Sequence, residues 1–290
     1  MSQILLYKIN NLIEGTVIKR PSKYIKTPYV ADILTKNEEV LGHTASLGCC
    51  GLADVNATIL MTISKTKKKT KQTNKANLQC THTVYLSVVL ENGKEQIIGI
   101  NPKLAEDLVE SALNKNCLRI LTNIKRYKRE TTIHVKNKIN SRFDFTGIDE
   151  NGLPFIMEVK NVPLADYEDL PKEKKMEKKD YSEYPFNSKV AYFPDGYRKQ
   201  SSEAVSPRAL KHIKELTLIK LESKIRCIMC YVIQRTDVNR FQPSIIDPEY
   251  REAVKEALAT GVEIITMVVS WDRNGEAYFI RDDLPITPFY

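Results

Sequence analysis

The chain contains 290 residues, of which 42% are hydrophobic and 28% are charged. This composition is typical of a globular protein and excludes wholesale disorder. The 44 Lys and Arg residues outnumber the 36 Asp and Glu residues, and the resulting net charge of +8 favours an anionic partner, most simply nucleic acid. No apolar run approaches the roughly 20 residues that cross a bilayer, and the N-terminus lacks the pattern of a secretion signal. We therefore expect a soluble intracellular protein, in the cytoplasm or nucleus, with no membrane partner.

Short β-rich segments separated by Pro, Gly and Asn occupy the first hundred residues. They cover residues 14–20, 29–34, 57–63 and 81–90. Four or five short strands in such a span indicate a small β-barrel, and an OB-like barrel is one member of that class. We expect this N-terminal barrel to occupy residues 1–95.

A run of six lysines without an acid lies between two of these segments, at residues 65–75. Two interpretations stay open. The run is either a solvated loop or an arm that contacts phosphates, since such runs supply sequence-independent affinity for nucleic acid. The residues that we predict to contact the nucleic-acid backbone are Lys19, Arg20, Lys23, Lys67, Lys68, Lys69 and Arg142.

The pattern changes at residue 101 to that of an α/β protein. Capped or periodic segments predict helices over 101–113, 207–221 and 248–260. Strand-like segments lie between and after them, at 131–136, 141–148, 154–160, 225–233 and 262–270. The order helix, three strands, helix, strand, helix, strand predicts an α/β domain over residues 96–290.

Cys227 and Cys230 form the one suggestive cysteine spacing, within a segment typical of a buried strand. Residues three apart on a strand point to opposite faces, so the two thiols cannot easily share a metal. We therefore predict two reduced cysteines in the core rather than a metal or redox site.

Three charged residues, Asp144, Glu158 and Lys160, interrupt two otherwise apolar strands. Burial of these groups is costly unless they are paired or bind a metal. Two converging acids repel each other and a divalent cation relieves the repulsion, so we expect Mg²⁺ (or Mn²⁺) at Asp144 and Glu158. Lys160 would then orient water and stabilise charge on phosphate. The alternative, which the spacing leaves equally open, is a surface ladder of ion pairs.

The turn between these two strands is a test of the predicted site. A two- or four-residue loop would leave Asp144 and Glu158 on opposite faces, whereas a three- or five-residue loop places them opposite each other. We predict one of the odd loops. Simple alternation also puts Phe143 and Phe145 together on the face away from Asp144.

Several motifs resemble the family of sugar fermentation stimulation protein A (SfsA), and they occur in that family's order. They are Ser141 to Phe145, Met157 to Val162, Tyr192 to Asp195, Lys211 to Leu216 and Ile246 to Tyr250. The resemblance implies an OB-fold domain joined to an α/β restriction-endonuclease-like domain with a mixed central sheet, of the PD-(D/E)XK class. That nuclease motif falls on Asp144, Glu158 and Lys160.

The resemblance and the residues together predict a nucleic-acid-binding protein, with DNA favoured over RNA, that hydrolyses phosphodiester bonds with Mg²⁺. Helix carboxylates such as Glu106 or Glu110 could add a further contact to the metal or to its ligands, as could the Val159 carbonyl. A structural role is favoured over a catalytic one for both His43 and His212, and of the two His212 is the candidate for a helix-face residue near the site. The alternative is a non-catalytic DNA-binding regulator of sugar-metabolism genes that retains the nuclease fold. Whether the protein is a homodimer is left open.

Overall fold

A computed structural model describes residues 3–44, 51–64, 79–136, 138–171, 174, 179–194 and 204–287. The strands and helices, in chain order, are β1 (Ile4–Lys8), β2 (Ile13–Lys19), β3 (Val30–Leu34), β4 (Glu39–Thr44), β5 (Thr58–Ile63), β6 (His82–Glu91), β7 (Lys94–Gly99), α1 (Pro102–Asn114), β8 (Arg126–Val135), β9 (Ile139–Ile148), β10 (Pro154–Val162), β11 (Ala165–Asp166), β12 (Lys189–Phe193), α2 (Pro207–Glu222), β13 (Arg226–Ile233), β14 (Val238–Pro243), α3 (Pro248–Ala259), β15 (Glu263–Trp271) and β16 (Glu276–Arg281). Among these residues no helix is both long and apolar enough to cross a membrane.

The first sheet contains six strands in the order β4-β3-β2-β5-β6-β7. Strand β4 also pairs with β6, in parallel, with His43 opposite Thr83. Its core is apolar and includes Val17, Ile33, Met61 and Val84. The four strands predicted in this region are confirmed, and the structure adds β4 and β7.

The largest sheet contains seven strands in the order β1-β16-β15-β13-β10-β9-β8. Its centre is parallel (β10, β13 and β15) and its flanks are antiparallel, so the predicted mixed sheet is confirmed. Strand β13 carries two apolar faces. Cys230 packs in a cluster with α1, whereas Cys227 packs in a cluster with α2 and α3. Helices therefore cover both faces, and the two cysteines are buried on opposite sides of the sheet, as predicted.

Strand β1 lies in this seven-stranded sheet and not in the six-stranded one. It pairs with β16, with Ile4 opposite Phe279 and Lys8 opposite Glu276. The six-stranded sheet in turn continues to Gly99 at the end of β7. The predicted division into residues 1–95 and 96–290 is therefore crossed by the first strand of the chain.

The three helices begin and end within two residues of their predicted bounds. Helix α1 begins after Asn101, whose side chain accepts a hydrogen bond from the backbone N–H of Lys103 at 3.1 Å. Its buried stripe includes Leu104, Leu108 and Ala112, which pack against the central sheet. A small third sheet, β11-β12-β14, lies beside the seven-stranded sheet and contributes Tyr192 and Phe193 to the site described next.

Candidate active site

The loop between β9 and β10 has five residues, and it sets the register of the site. Pro154 pairs with Ile148, and the ladder continues to Met157 opposite Phe145. The next positions in that register are Glu158 and Asp144. The prediction of an odd loop that places the two acids opposite each other is therefore confirmed.

Phe143 and Phe145 pack in different core clusters, which the sequence did not predict. Phe145 packs on the α1 side of the sheet, 6.0 Å from the ring of Tyr127. Phe143 packs on the other side, 5.8 Å from the imidazole of His212 in α2. The expectation that Phe143 and Phe145 share one face is thus wrong, because the regular pairing of β9 with β10 ends at Phe145 and does not extend to Phe143.

Glu158 is almost completely buried, with 2% of its surface exposed, and two cationic or hydrogen-bonding groups meet one of its oxygens. The Lys160 ammonium and the His212 Nδ1 both contact Oε1. Burial alone would raise the pKa of Glu158, but Lys160 and His212 outweigh it and hold that pKa below its usual range. Glu158 is therefore kept as a carboxylate inside the protein.

The second oxygen of Glu158 has no such partner. Oε2 is buried and accepts no hydrogen bond from any residue that the structure describes. A buried carboxylate oxygen without a partner is costly, and a bound cation is one group that would satisfy it.

The environment of Asp144 raises its pKa, whereas the environment of Glu158 lowers the pKa of Glu158. Burial, and then repulsion by Glu158, raise the pKa of Asp144 to about 7, although its Oδ2 accepts a hydrogen bond of 2.7 Å from the Val159 N–H. Two carboxylates that share one site cannot both ionise easily without a cation. The pair therefore has the electrostatic property expected of a divalent-cation site.

These residues line a cavity of about 270 Å³ between α1, the end of β10 and the first turn of α2. Its wall is formed by acids, bases and aromatic or apolar groups, namely Pro102, Ala105, Glu106, Asp144, Glu158, Val159, Lys160, Asn161, Pro163, Leu164, Tyr192, Phe193, Ser206, Arg208 and Ala209. The three residues predicted from sequence thus lie together at one cavity, open to a small charged ligand.

Glu106 faces this cavity from α1, and Arg129 of β8 holds it. The Arg129 guanidinium contacts Glu106 at 3.0 Å, Asp107 at 3.0 Å and Glu110 at 2.8 Å. Of the two helix carboxylates considered from sequence, Glu106 lies at the cavity, whereas Glu110 lies beside Tyr127 and Arg129.

The donor set fits a hard cation that keeps part of its hydration. Within the described ranges no three His, Cys, Asp or Glu side chains lie together as a ligand set. Mg²⁺ commonly uses only one or two carboxylates and takes its other ligands from water and substrate phosphate. Asp144 and Glu158, with the unpartnered Oε2, fit that pattern.

The basic residues predicted to contact nucleic acid do not gather at this cavity. Lys19 and Lys23 are exposed on the six-stranded sheet and its following turn, and Lys23 pairs with Glu39 at 2.6 Å. Arg20 donates to the Pro28 carbonyl at 2.9 Å. Arg142 is exposed on β9 and lies 3.4 Å from Glu130. Lys67, Lys68 and Lys69 lie outside the described residues.

Sequence reasoning did not select Arg208 or Ser206, which line the cavity from the start of α2. The sequence does contain an indication that Arg208 lies near the site. Arg208 lies four residues before His212 on a helix, and residues at that spacing share a face. Placing His212 near the site therefore also places Arg208 near it.

The fold and the site define a mixed α/β protein with a helix-covered central sheet and an acidic cavity at its middle. The family described as "Sugar fermentation stimulation protein RE domain" matches residues 103–275. The chain belongs to this family.

The similar proteins cover most of the chain. A sugar fermentation stimulation protein homolog from Alteromonas mediterranea is 30% identical over 262 residues, which are 88% of this chain and 89% of that protein. One from Clostridium novyi is 27% identical over 284 residues, covering 96% and 99%. The solved structure of Pyrococcus furiosus SfsA in complex with Ca²⁺ matches with a TM-score of 0.73 at 19% identity, covering 98% of this chain and 100% of the other. This structural likeness shows the shared fold.

Proposed function

We propose that the protein is a metal-dependent nuclease that hydrolyses phosphodiester bonds in nucleic acid, with DNA favoured over RNA. One observation carries the proposal. Two carboxylates, the buried Glu158 and the partly buried Asp144, meet beside Lys160 at a cavity, and Glu158 Oε2 has no hydrogen-bond partner in the described structure. This arrangement supports a PD-(D/E)XK nuclease site in which Asp144, Glu158 and Lys160 would occupy the three motif positions.

Each residue then has a separate role. Asp144 and Glu158 would hold Mg²⁺ (or Mn²⁺), which supplies Lewis-acid stabilisation of charge on the phosphate. Lys160 would orient the attacking water and stabilise the developing negative charge. His212 contacts Glu158 Oε1 and fixes the direction of that carboxylate. The Pyrococcus furiosus protein was solved in complex with Ca²⁺, which supports a cation site in this fold.

The six-stranded sheet is the proposed nucleic-acid-binding module. The pairings β2-β3-β4-β6-β5, with β5 pairing again with β2, support the proposal of an OB-type barrel. Such barrels bind single strands with a basic groove. We take the module to comprise β2 to β7, with Lys19, Arg20, Lys23 and the lysine run as its contacts to phosphate.

The rival function is nucleic-acid binding without cleavage, as a regulator of sugar-metabolism genes. It is favoured by one observation, that Lys160 and His212 both contact a single oxygen of Glu158, as in a purely structural ion-pair network. The two functions differ in whether the cavity cuts the strand that the protein binds.

A cleavage assay tests the proposal. Labelled single- and double-stranded DNA and RNA are incubated with Mg²⁺, Mn²⁺ or EDTA. We expect cutting with a metal and none in EDTA, and we expect Asp144→Asn and Lys160→Ala to lose cutting while they still bind. Glu252→Gln and Lys255→Ala, which change exposed residues of α3, serve as charge-matched controls. Intact substrate under every condition, with salt-sensitive binding retained, would instead establish the regulator.

A further inference from the structure

Arg208 lies in the first turn of α2 and lines the cavity that contains Asp144, Glu158 and Lys160. Its side chain is exposed at the mouth of the cavity, whereas Glu158 is buried in it. The protein thus has a basic group at the entrance and an acidic pair behind it.

Unlike several other arginines of this protein, Arg208 forms no ion pair with a carboxylate of the described residues. Arg129, Arg226 and Arg235 each make ion pairs at 3.0 Å or less. In the part of the chain that the structure describes, no hydrogen bond or ion pair joins the Arg208 guanidinium to another residue. Its five N–H donors remain available to a ligand.

The backbone N–H groups at the N-terminus of α2, next to Arg208, also favour an anion. Ser206 is the N-cap of α2, but its side chain makes no capping hydrogen bond, and the first turn contains no acid. The first N–H groups of a helix have no acceptors within the helix and carry partial positive charge. This helix end only supports the inference, which rests on the uncommitted guanidinium and on the unpartnered Glu158 Oε2 in the same cavity.

The charges of the loaded site favour a phosphate at this position. The carboxylates of Asp144 and Glu158 balance the charge of a divalent cation, and Glu106, the remaining acid that lines the cavity, shares Arg129 with Asp107 and Glu110. Lys160 and Arg208 then remain as the cations facing the cavity. A guanidinium presents two parallel N–H groups that match the oxygens of a phosphate, which a lysine ammonium does not.

We propose that Arg208 binds a backbone phosphate of the nucleic-acid strand, adjacent to the metal site, and so positions the scissile bond over Asp144 and Glu158. This inference rests on the proposed nuclease function and adds a substrate-binding residue to it. It assigns phosphate recognition at the cavity to helix α2, separately from the basic residues of the six-stranded sheet.

The test compares Arg208→Ala, Arg208→Lys and Arg126→Ala. Arg126 is an exposed arginine on β8 outside the cavity, so its removal changes the net charge equally. Binding of a labelled oligonucleotide is measured by fluorescence anisotropy in Ca²⁺ over a range of salt concentrations, with gels to verify intact substrate. Cleavage is measured in Mg²⁺, and circular dichroism melts verify folding.

We expect Arg208→Ala to reduce the slope of log K against log salt by about 0.7 to 0.9, the loss of one phosphate contact. Its kcat/KM should fall roughly 10- to 100-fold, as for loss of a charged hydrogen bond, with partial recovery in Arg208→Lys. Arg126→Ala should keep the wild-type slope and rate.

The outcomes separate this inference from the proposed function. If Arg208→Ala behaves like Arg126→Ala in binding and cleavage, or if the wild-type protein shows no salt-dependent binding, the inference is overturned. If the wild-type protein cuts no substrate but Arg208→Ala still reduces the slope of log K against log salt, the phosphate contact is supported and only the nuclease proposal fails.

Discussion

Oδ2 of Asp144 accepts a hydrogen bond of 2.7 Å from the backbone N–H of Val159 at the point where β9 separates from β10. A side chain therefore takes over from the backbone as the hydrogen-bond acceptor for β10. This contact fixes Asp144 beside Glu158 although the two acids repel each other. The geometry of the site is thus maintained by the sheet, and its electrostatic cost appears in the pKa of Asp144.

The raised pKa of Asp144, about 7, makes the stability of the metal-free protein depend on pH. Unfolded Asp loses its proton near pH 4, whereas folded Asp144 keeps it to about pH 7, so this residue makes stability fall as pH rises through that window. Asp144→Asn removes the penalty. We expect the variant to be more stable than the wild type by on the order of 1–2 kcal/mol at about pH 8, and this gain to vanish near pH 4.

Urea unfolding in EDTA at both pH values measures this difference. Glu252→Gln is the control, because Glu252 is exposed and the substitution removes the same charge without relieving a buried pair. Equal effects of Asp144→Asn at the two pH values would contradict a raised pKa of Asp144 in the folded protein.

Binding of a divalent cation should stabilise the folded protein through Glu158. We expect Ca²⁺ at about 100 times its Kd to add roughly 2.7 kcal/mol to the free energy of unfolding of the wild type. Glu158→Gln should abolish this shift. Glu215→Gln should retain it, because Glu215 is also buried with an unpartnered Oε2 but does not line the cavity. Thermal melts with and without Ca²⁺ measure this stabilisation. Identical shifts of the melting temperature in Glu158→Gln and Glu215→Gln would contradict cation binding by Glu158.

His212 should affect both stability and cation binding. It is 3% exposed, contacts Glu158 Oε1 and lies 5.8 Å from the ring of Phe143. His212→Ala removes a buried hydrogen bond and leaves a void, so we expect a loss of about 2–4 kcal/mol in urea unfolding. The stabilisation by Ca²⁺ should also weaken. His134→Ala, on the exposed face of β8, should change neither quantity. An unchanged Ca²⁺ shift in His212→Ala would restrict His212 to packing.

Asp149 holds the five-residue loop that sets the register of the site. It is 1% exposed, and its carboxylate accepts hydrogen bonds from Asn151 N at 2.9 Å and Leu153 N at 2.8 Å and pairs with Arg226 at 2.8 Å. Burial would raise the pKa of Asp149, but Arg226 and the two backbone donors outweigh it and lower that pKa. Its contribution to stability is therefore present above about pH 4 and is lost as pH falls through the lowered pKa.

We expect Asp149→Ala to cost about 2–4 kcal/mol at neutral pH, because two backbone donors lose their acceptor and Arg226, which keeps its contacts to Glu263, loses one of its two carboxylate partners. The cost should shrink below about pH 4, where the wild type itself loses the interaction. Glu150→Ala, at the next, exposed position of the loop, is the control. Denaturant unfolding over this pH range measures both variants. Equal losses of stability in Asp149→Ala and Glu150→Ala would contradict the role of Asp149 in holding the loop.

The sequence predicted the parts of this structure that depend on local pattern. Helix bounds follow from caps and periodicity, as at Asn101. The pairing of Asp144 with Glu158 follows from the two-residue repeat of a strand, which only loops of odd length satisfy. The burial of Cys227 and Cys230 on opposite faces follows from the same repeat.

The parts that sequence did not predict depend on distant contacts. Phe143 packs on a different side from Phe145 and lies beside His212, a partner that is far along the chain in α2. Strand β14 contains Asn, Arg, Gln and Pro and lacks a strand pattern, yet it pairs with β12. Strand β1 pairs with β16 at the far end of the sequence. No local window contains either partner.

The pairing of β1 with β16 makes the seven-stranded sheet discontinuous in sequence, with the six-stranded sheet inserted after its first strand. A fragment that begins at residue 96 would therefore leave the outer edge of β16 without its neighbour, including the apolar Phe279 and Ile280. Unpaired edges of this kind template intermolecular pairing. The two modules cannot be separated by one cut, and the large sheet would aggregate when isolated unless residues 4–8 were supplied to it as a separate strand.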